Sequence, residues 1–127
     1  MYNRRSKVTR RTTIEPRELA NTLMDLAAGK KATHVTLLDL RGVSIIADYF
    51  LICGGESGRQ LKAIAEEVRD KLDAQGVSPR RVEGTPDSGW ILMDFGSVIL
   101  HIFDQTQRDY YQLEEVWKHA RTLAVMP

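Results

Sequence analysis

The chain has 127 residues, 43% hydrophobic and 28% charged, a balance that fits one compact globular domain and excludes both a disordered polymer and a two-domain protein. No run of about eighteen apolar residues occurs, which argues against a membrane-spanning helix, and the start lacks a short apolar leader with a cleavage site, so a cytoplasmic location is expected. The formal net charge of +1 is unevenly placed: residues 1–11 carry Arg4, Arg5, Lys7, Arg10 and Arg11 with no acid, which leaves the rest of the chain net acidic.

A basic, flexible arm is therefore expected over residues 1–12, either solvated or in contact with nucleic-acid phosphates. An Arg-rich, acid-poor start also fits an organellar targeting peptide, although this one is short and has no clear amphipathic period. The first helix is expected to begin near Thr13 to Pro16, since proline suits an early helical position. Leu19, Leu23, Leu26 and Ala27 fall on one face, and Gly29 with Lys30 and Lys31 marks the end. His34 to Leu40 reads as a strand, and Arg41-Gly42 as a break. Ala47 to Cys53 is nearly all apolar, the pattern of a strand buried on both faces. The lone Cys53 lies in it, so it reads as a buried structural thiol in a reducing compartment.

After Gly54-Gly55, Ser57 and Gln60 form a candidate capping box. Leu61, Ile64, Ala65, Val68 and Leu72 then recur at helical spacing until Gly76. A short strand is expected around Arg80 to Glu83, with a loop from Gly84 to Gly89. Trp90 to Phe95 and Val98 to Phe103, separated by Gly96-Ser97, read as a hairpin. A last helix is expected from about Gln107 to Leu123, with Thr106 and Asp109 as its cap and Tyr110, Leu113, Trp117, Ala120 and Ala124 as its apolar stripe. The implied architecture is α/β or α+β, a mixed five-stranded sheet flanked by helices. The domain is expected to span residues 13–120, with a tail over 121–127.

Little in the chain points to catalysis. His34, His101 and His119 have no ligand spacing, no CxxC or HExxH occurs, and with Cys53 they are all the nitrogen and sulfur ligands on offer for a site that needs about four, so neither metal nor cofactor is expected. No nucleophile elbow occurs, and a cysteine in an apolar strand has a raised pKa. Gly54-Gly55-Glu56-Ser57, between a strand and a helix, has the form of a turn that admits a phosphate, but an ordinary strand-to-helix turn uses the same residues. Nucleotidyl transfer needs a carboxylate pair to hold metal ions. Glu66, Glu67 and Asp70 lie on the wet side of a helix, and Asp39, Asp48 and Asp94 have no acidic neighbour in sequence.

Several segments together resemble one family. They are Asp39-Leu-Arg-Gly42 with Ile46-Ala-Asp48-Tyr-Phe-Leu-Ile52, Ser57-Gly-Arg59-Gln-Leu61 with Ile64-Ala-Glu66-Glu-Val68, and Val82-Glu83-Gly84. Trp90-Ile-Leu-Met-Asp94-Phe-Gly96, Val98-Ile-Leu-His101-Ile-Phe103 and Tyr110-Tyr111-Gln-Leu113-Glu114-Glu-Val-Trp117 follow. In this order and spacing they are similar to the RsfS/Iojap family, over roughly residues 15–118. Gly54 stands where the family often has threonine, and Ser97 where aspartate is common.

The resemblance implies a nucleotidyltransferase-like fold without transferase activity. It implies docking on the large ribosomal subunit at ribosomal protein uL fourteen, which blocks the small subunit and represses translation, notably under nutrient limitation. The family's binding surface maps onto Trp90 and Tyr111, with Asp94 and Phe95 on the same strand and Glu114 beside the tyrosine. Strand alternation places Trp90, Leu92 and Asp94 on one face and Ile91, Met93 and Phe95 on the other, so these residues cannot all face a partner. Core packing is the competing role for each aromatic. A face made for a partner can also pair with a second copy of the chain. Two other functions stay open at this point: an active nucleotidyltransferase whose carboxylates meet in space, and an RNA-binding ribosome assembly factor that uses the arm.

Overall fold

A computed structural model describes residues 14–127. The arm over residues 1–12 and the start of the domain at residue 13 lie outside the described residues. The elements are α1 (Pro16–Gly29), β1 (Thr33–Asp39), β2 (Tyr49–Gly55), α2 (Gly58–Asp73), β3 (Arg81–Thr85), β4 (Trp90–Asp94), β5 (Val98–Asp104), α3 (Gln105–Tyr111), α4 (Leu113–Val116) and β6 (Arg121–Met126). The strands form one six-stranded sheet in the order β3-β4-β5-β2-β1-β6. β2 and β5 run parallel and every other neighbouring pair is antiparallel. The fold is thus the expected α+β arrangement with a mixed sheet, with six strands where five were expected.

Every residue of β2 is buried, as its unbroken apolar run predicts. On one face α1 contributes Leu19, Leu23 and Ala27, and α2 contributes Leu61, Ile64, Val68 and Leu72, packed against Leu37, Leu51, Leu100 and Ile102. The α2 cap forms with one change. Ser57 Oγ accepts from the Gln60 backbone N–H at 3.1 Å, but Gln60 Oε1 accepts from the Glu56 N–H at 2.7 Å instead of the expected Ser57 N–H. The Gln60 amide also donates to the Lys31 carbonyl at 2.9 Å, so one side chain ties the start of α2 to the end of α1. On the other face Leu38, Phe50, Ile52, Ile99 and Phe103 lie beneath Leu113, Trp117 and Ala120.

The expected single helix from Gln107 to Leu123 and the expected tail over 121–127 are both corrected. The helix is capped by Asp104, which accepts from the Gln107 N–H at 2.8 Å, and it stops at Tyr111 because Gln112 adopts a left-handed conformation (φ 48°). One short turn, α4, follows, and residues 121–126 then extend as β6, antiparallel to β1. A helical stripe and a turn that carries large residues onto a sheet place the same apolar residues at similar spacing, so periodicity did not separate them. The unpaired edge of β1 selects the strand, and the β-branched Thr122 and Val125 suit it.

A buried carboxylate fastens this strand. Asp39 is 4% exposed; Arg41 donates to it from its backbone N–H and from its guanidinium at 2.9–3.0 Å, and Arg121 of β6 donates at 3.1 Å. The hydrogen bond from the Arg41 side chain, helped by Arg121, outweighs desolvation and holds the carboxyl well below the usual carboxylate range. A depressed folded pKa contributes stability that is present above the ordinary value and is lost as pH falls through the folded one. Asp39→Asn is expected to lower stability at neutral pH by about 1–3 kcal/mol, with the gap to the wild type narrowing in acid, as measured by urea unfolding at a series of pH values.

Candidate functional site

Strand alternation in β4 divides its residues cleanly. Ile91 and Met93 are buried against the helix-side core, at 4% and 1% exposure, whereas Trp90, Leu92 and Asp94 are half-buried and point away from the helices. The register with β5 sets Trp90 beside Phe103, Leu92 beside His101 and Asp94 beside Ile99. The register with β3 sets Thr85, Glu83 and Arg81 opposite the same three residues, and these β3 positions are exposed. The segment around Leu113 and Trp117 covers the central strands of this face, and the part built on β3 and β4 stays accessible.

Trp90 is the centre of an aromatic cluster. Its ring stacks on Phe103 with centroids 4.8 Å apart and meets Tyr111 at 4.5 Å. Its indole Nε1–H donates to Nδ1 of His101 at 3.2 Å. Tyr111 is the last residue of α3, just before the left-handed Gln112, and is 41% exposed. Trp90, Leu92 and Tyr111, with Glu83, Gly84, Ser88 and Gln107, line a depression of about 240 Å³. Gly84 (φ +85°) makes this arrangement possible, because a Cβ there would stand 1.9 Å from the Trp90 carbonyl oxygen.

The structure joins Trp90 and Tyr111 but separates the other three candidates from them. Asp94 shares the face of Trp90, yet its Oδ1 accepts from the Gly96 N–H at 2.7 Å and its Oδ2 lies 3.8 Å from Arg81, so it shapes the β4–β5 turn. Phe95 packs against the helix-side core, which settles the tension of alternation against a shared surface. Glu114 accepts from Nε of the largely buried Arg108 at 3.1 Å and also from its Nη2. It lies in a second, wider hollow with His34, Thr36, Asp109 and Gln112.

Sequence reading placed Leu92 on the face of Trp90 without assigning it to the surface, did not find Phe103 or Arg108 as parts of this region, and took His101 only as a hydrogen-bonded sheet residue. The alternation of β5 was visible, but which β4 residue each side chain meets depends on hairpin register, which Gly96-Ser97 alone does not fix.

The residues weighed for other chemistry are dispersed. Asp39 pairs with Tyr49 on the helix side of the sheet, and Asp94 is on the opposite face. Three strand spacings separate β1 from β4 in the sheet, about 14 Å, so these carboxylates do not form a metal-holding pair. Gly54 and Gly55 are the last residues of β2 and not a phosphate-admitting turn; a Cβ on Gly55 would stand 2.8 Å from Leu61 and one on Gly54 would stand 2.9 Å from Thr33, so the glycines serve close packing. Cys53 is fully buried, and burial pushes its thiol up to about 12. Among the described residues no group of three or more His, Cys, Asp or Glu is placed to hold a metal ion, and no helix is long and apolar enough to cross a membrane.

The sequence profile described as "Ribosomal silencing factor during starvation" matches residues 13–126. The chain belongs to the RsfS family. It is 43% identical to the ribosomal silencing factor RsfS of Bacillus subtilis over 91 residues, covering 72% of this chain and 77% of that protein. It is 41% identical to RsfS of Halalkalibacterium halodurans over 106 residues, covering 84% and 91%. A crystal structure of a protein from Chromobacterium violaceum superimposes with a TM-score of 0.79 at 27% identity, covering 90% of this chain and 94% of that one. The RsfS match includes β6, so the last strand lies within the family's domain.

Two outcomes test this geometry. Gly84→Ala forces β3 away from the Trp90 backbone and is expected to cost more than about 1 kcal/mol, seen as a lower urea midpoint together with a red-shifted tryptophan emission. His101 is 3% exposed, and burial lowers its pKa to about 4. The unfolded chain takes up a proton there near pH 6.5 while the folded chain does not, so stability falls as pH drops below that point. His101→Phe is expected to remove roughly 2 kcal/mol of the stability change between pH 6.5 and pH 5, measured by urea unfolding at both values.

Proposed function

We propose that this chain represses translation by binding the large ribosomal subunit through the face around Trp90 and Tyr111. Docked at ribosomal protein uL fourteen, beside the intersubunit surface, its body stands where the small subunit has to approach. The action is steric and needs no bond-making chemistry, and it operates in the cytoplasm, notably when nutrients are limiting. Membership of the RsfS family supports the reading, since the relatives carry the name ribosomal silencing factor.

The observation that carries it is the Trp90–Tyr111 pair, with centroids 4.5 Å apart at the rim of an accessible depression. Protein interfaces concentrate their energy in a few aromatic anchors held rigid before binding. Trp90 is fixed by stacking on Phe103 and by its hydrogen bond to His101, and Tyr111 lies against it. Asp94 and Glu114 support the surface through the turn and the Arg108 clamp, and Phe95 supports it from the helix side. The basic residues Arg4, Arg5, Lys7, Arg10 and Arg11 are assigned to phosphates of ribosomal RNA. The dispersal of Asp39 and Asp94 onto opposite faces weighs against nucleotidyl transfer.

A subunit-joining assay is the test. Adding the protein to isolated large subunits is expected to block their association with small subunits. Trp90→Ala and Tyr111→Ala are each expected to weaken cosedimentation with large subunits by about tenfold or more while circular dichroism stays native. Full joining in the presence of saturating wild-type protein overturns the proposal.

A further inference from the structure

His101 is an expensive residue for its place in the fold. It is 3% exposed in the middle of β5, and its Nε2 has no hydrogen-bond partner among the described residues. The rings of Phe50 and Phe103 flank it at 4.6 Å and 6.0 Å. A phenylalanine or leucine here would bury no unpaired polar atom and would serve the core better, because an unsatisfied buried donor costs stability. The return lies at the other nitrogen. An indole N–H can only donate, so Nδ1, 3.2 Å from Trp90 Nε1, must be the unprotonated nitrogen, and the ring carries its proton on Nε2. Among the described residues, His101 Nδ1 is the hydrogen-bond acceptor for the Trp90 indole.

We infer that His101 is a positioning residue for the ribosome-binding face: its Nδ1 holds the Trp90 indole in the orientation that places the ring against Tyr111. This rests on the binding reading proposed above. It adds the statement that one polar contact beneath the surface sets the direction of the anchor above it. Stacking on Phe103 holds the face of the indole but does not select which edge of the ring points at His101, because a flip about χ2 turns Nε1 away while a face stays on Phe103. The hydrogen bond to a buried, immobile acceptor removes that alternative, so the ordering cost is met before a partner arrives.

The experiment compares His101→Phe, which keeps an aromatic ring and removes the acceptor, with His101→Asn, whose Oδ1 occupies about the position of Nδ1. Two readouts are taken on the full chain. One is the amide-region NMR resonance of the Trp90 indole N–H, assigned by its loss in Trp90→Phe. The other is binding to isolated large subunits. His101→Phe is expected to move the indole proton upfield and to weaken binding by about tenfold, and His101→Asn is expected to restore most of both. In a Trp90→Phe background, which has no indole donor, His101→Phe is expected to have no further effect on binding. This cycle also tests the idea if the single histidine variant folds poorly, because binding is then compared per folded molecule.

An unmoved indole resonance in folded His101→Phe, or binding at the wild-type level, overturns the inference, as does an equal loss of binding in the Trp90→Phe background. If wild-type protein ignores large subunits while the indole resonance moves as stated, the ribosome reading fails and the positioning contact stands.

Discussion

A strand whose every side chain is buried needs cover on both of its faces, and β2 imposes that demand on the whole molecule. Its parallel neighbour β5 is almost as deeply buried, so the middle of the sheet has no wet side. α1 and α2 supply the first layer with regular apolar stripes. The second layer is thinner: short helices, Trp117 and Ala120 reach only across the central strands. The hairpin of β3 and β4 lies beyond that cover, and there Trp90 meets solvent while Tyr49, Phe50 and Phe103 stay buried. The candidate surface is thus what remains when a two-sided core is covered by one full layer and one partial one.

Much of this was legible in the chain. The two long helices announced themselves by spacing and by their proline, serine and glycine ends, and the apolar run of β2 declared its double burial. The C-terminal third was misread because Tyr110, Leu113, Trp117, Ala120 and Ala124 repeat as a helix would. Nothing local in Gln112 signals a left-handed residue, and the pull of an unpaired β1 edge comes from a strand far away in sequence. The same error misplaced Tyr110: assigned to the stripe, it is 77% exposed, whereas Tyr111, read as part of the binding surface, meets Trp90.

The candidate site was legible in its aromatic members and much less so in its charged ones. Trp90 and Tyr111 came from the family pattern, and alternation already separated Phe95 from Trp90. The partners of Asp94 and Glu114 lie within the molecule, and neither Arg81 nor Arg108 could be named without knowing how the strands and the α3–α4 corner meet. Charged residues near a binding surface often spend their hydrogen bonds on shaping it, and a one-dimensional pattern does not distinguish that task from contact with a partner.

The link between Asp39 and Arg121 spans 82 positions of sequence. β1 is made early during synthesis, yet its outer row of amides and carbonyls finds its mate only when residues 121–126 have emerged. Until then the growing polypeptide carries a bare edge next to a strongly apolar strand, the condition under which neighbouring chains pair with each other. Closing so distant a contact is slow on entropic grounds. In this design the outer edge of β1 stays open to other strands until β6, the last strand made, covers it.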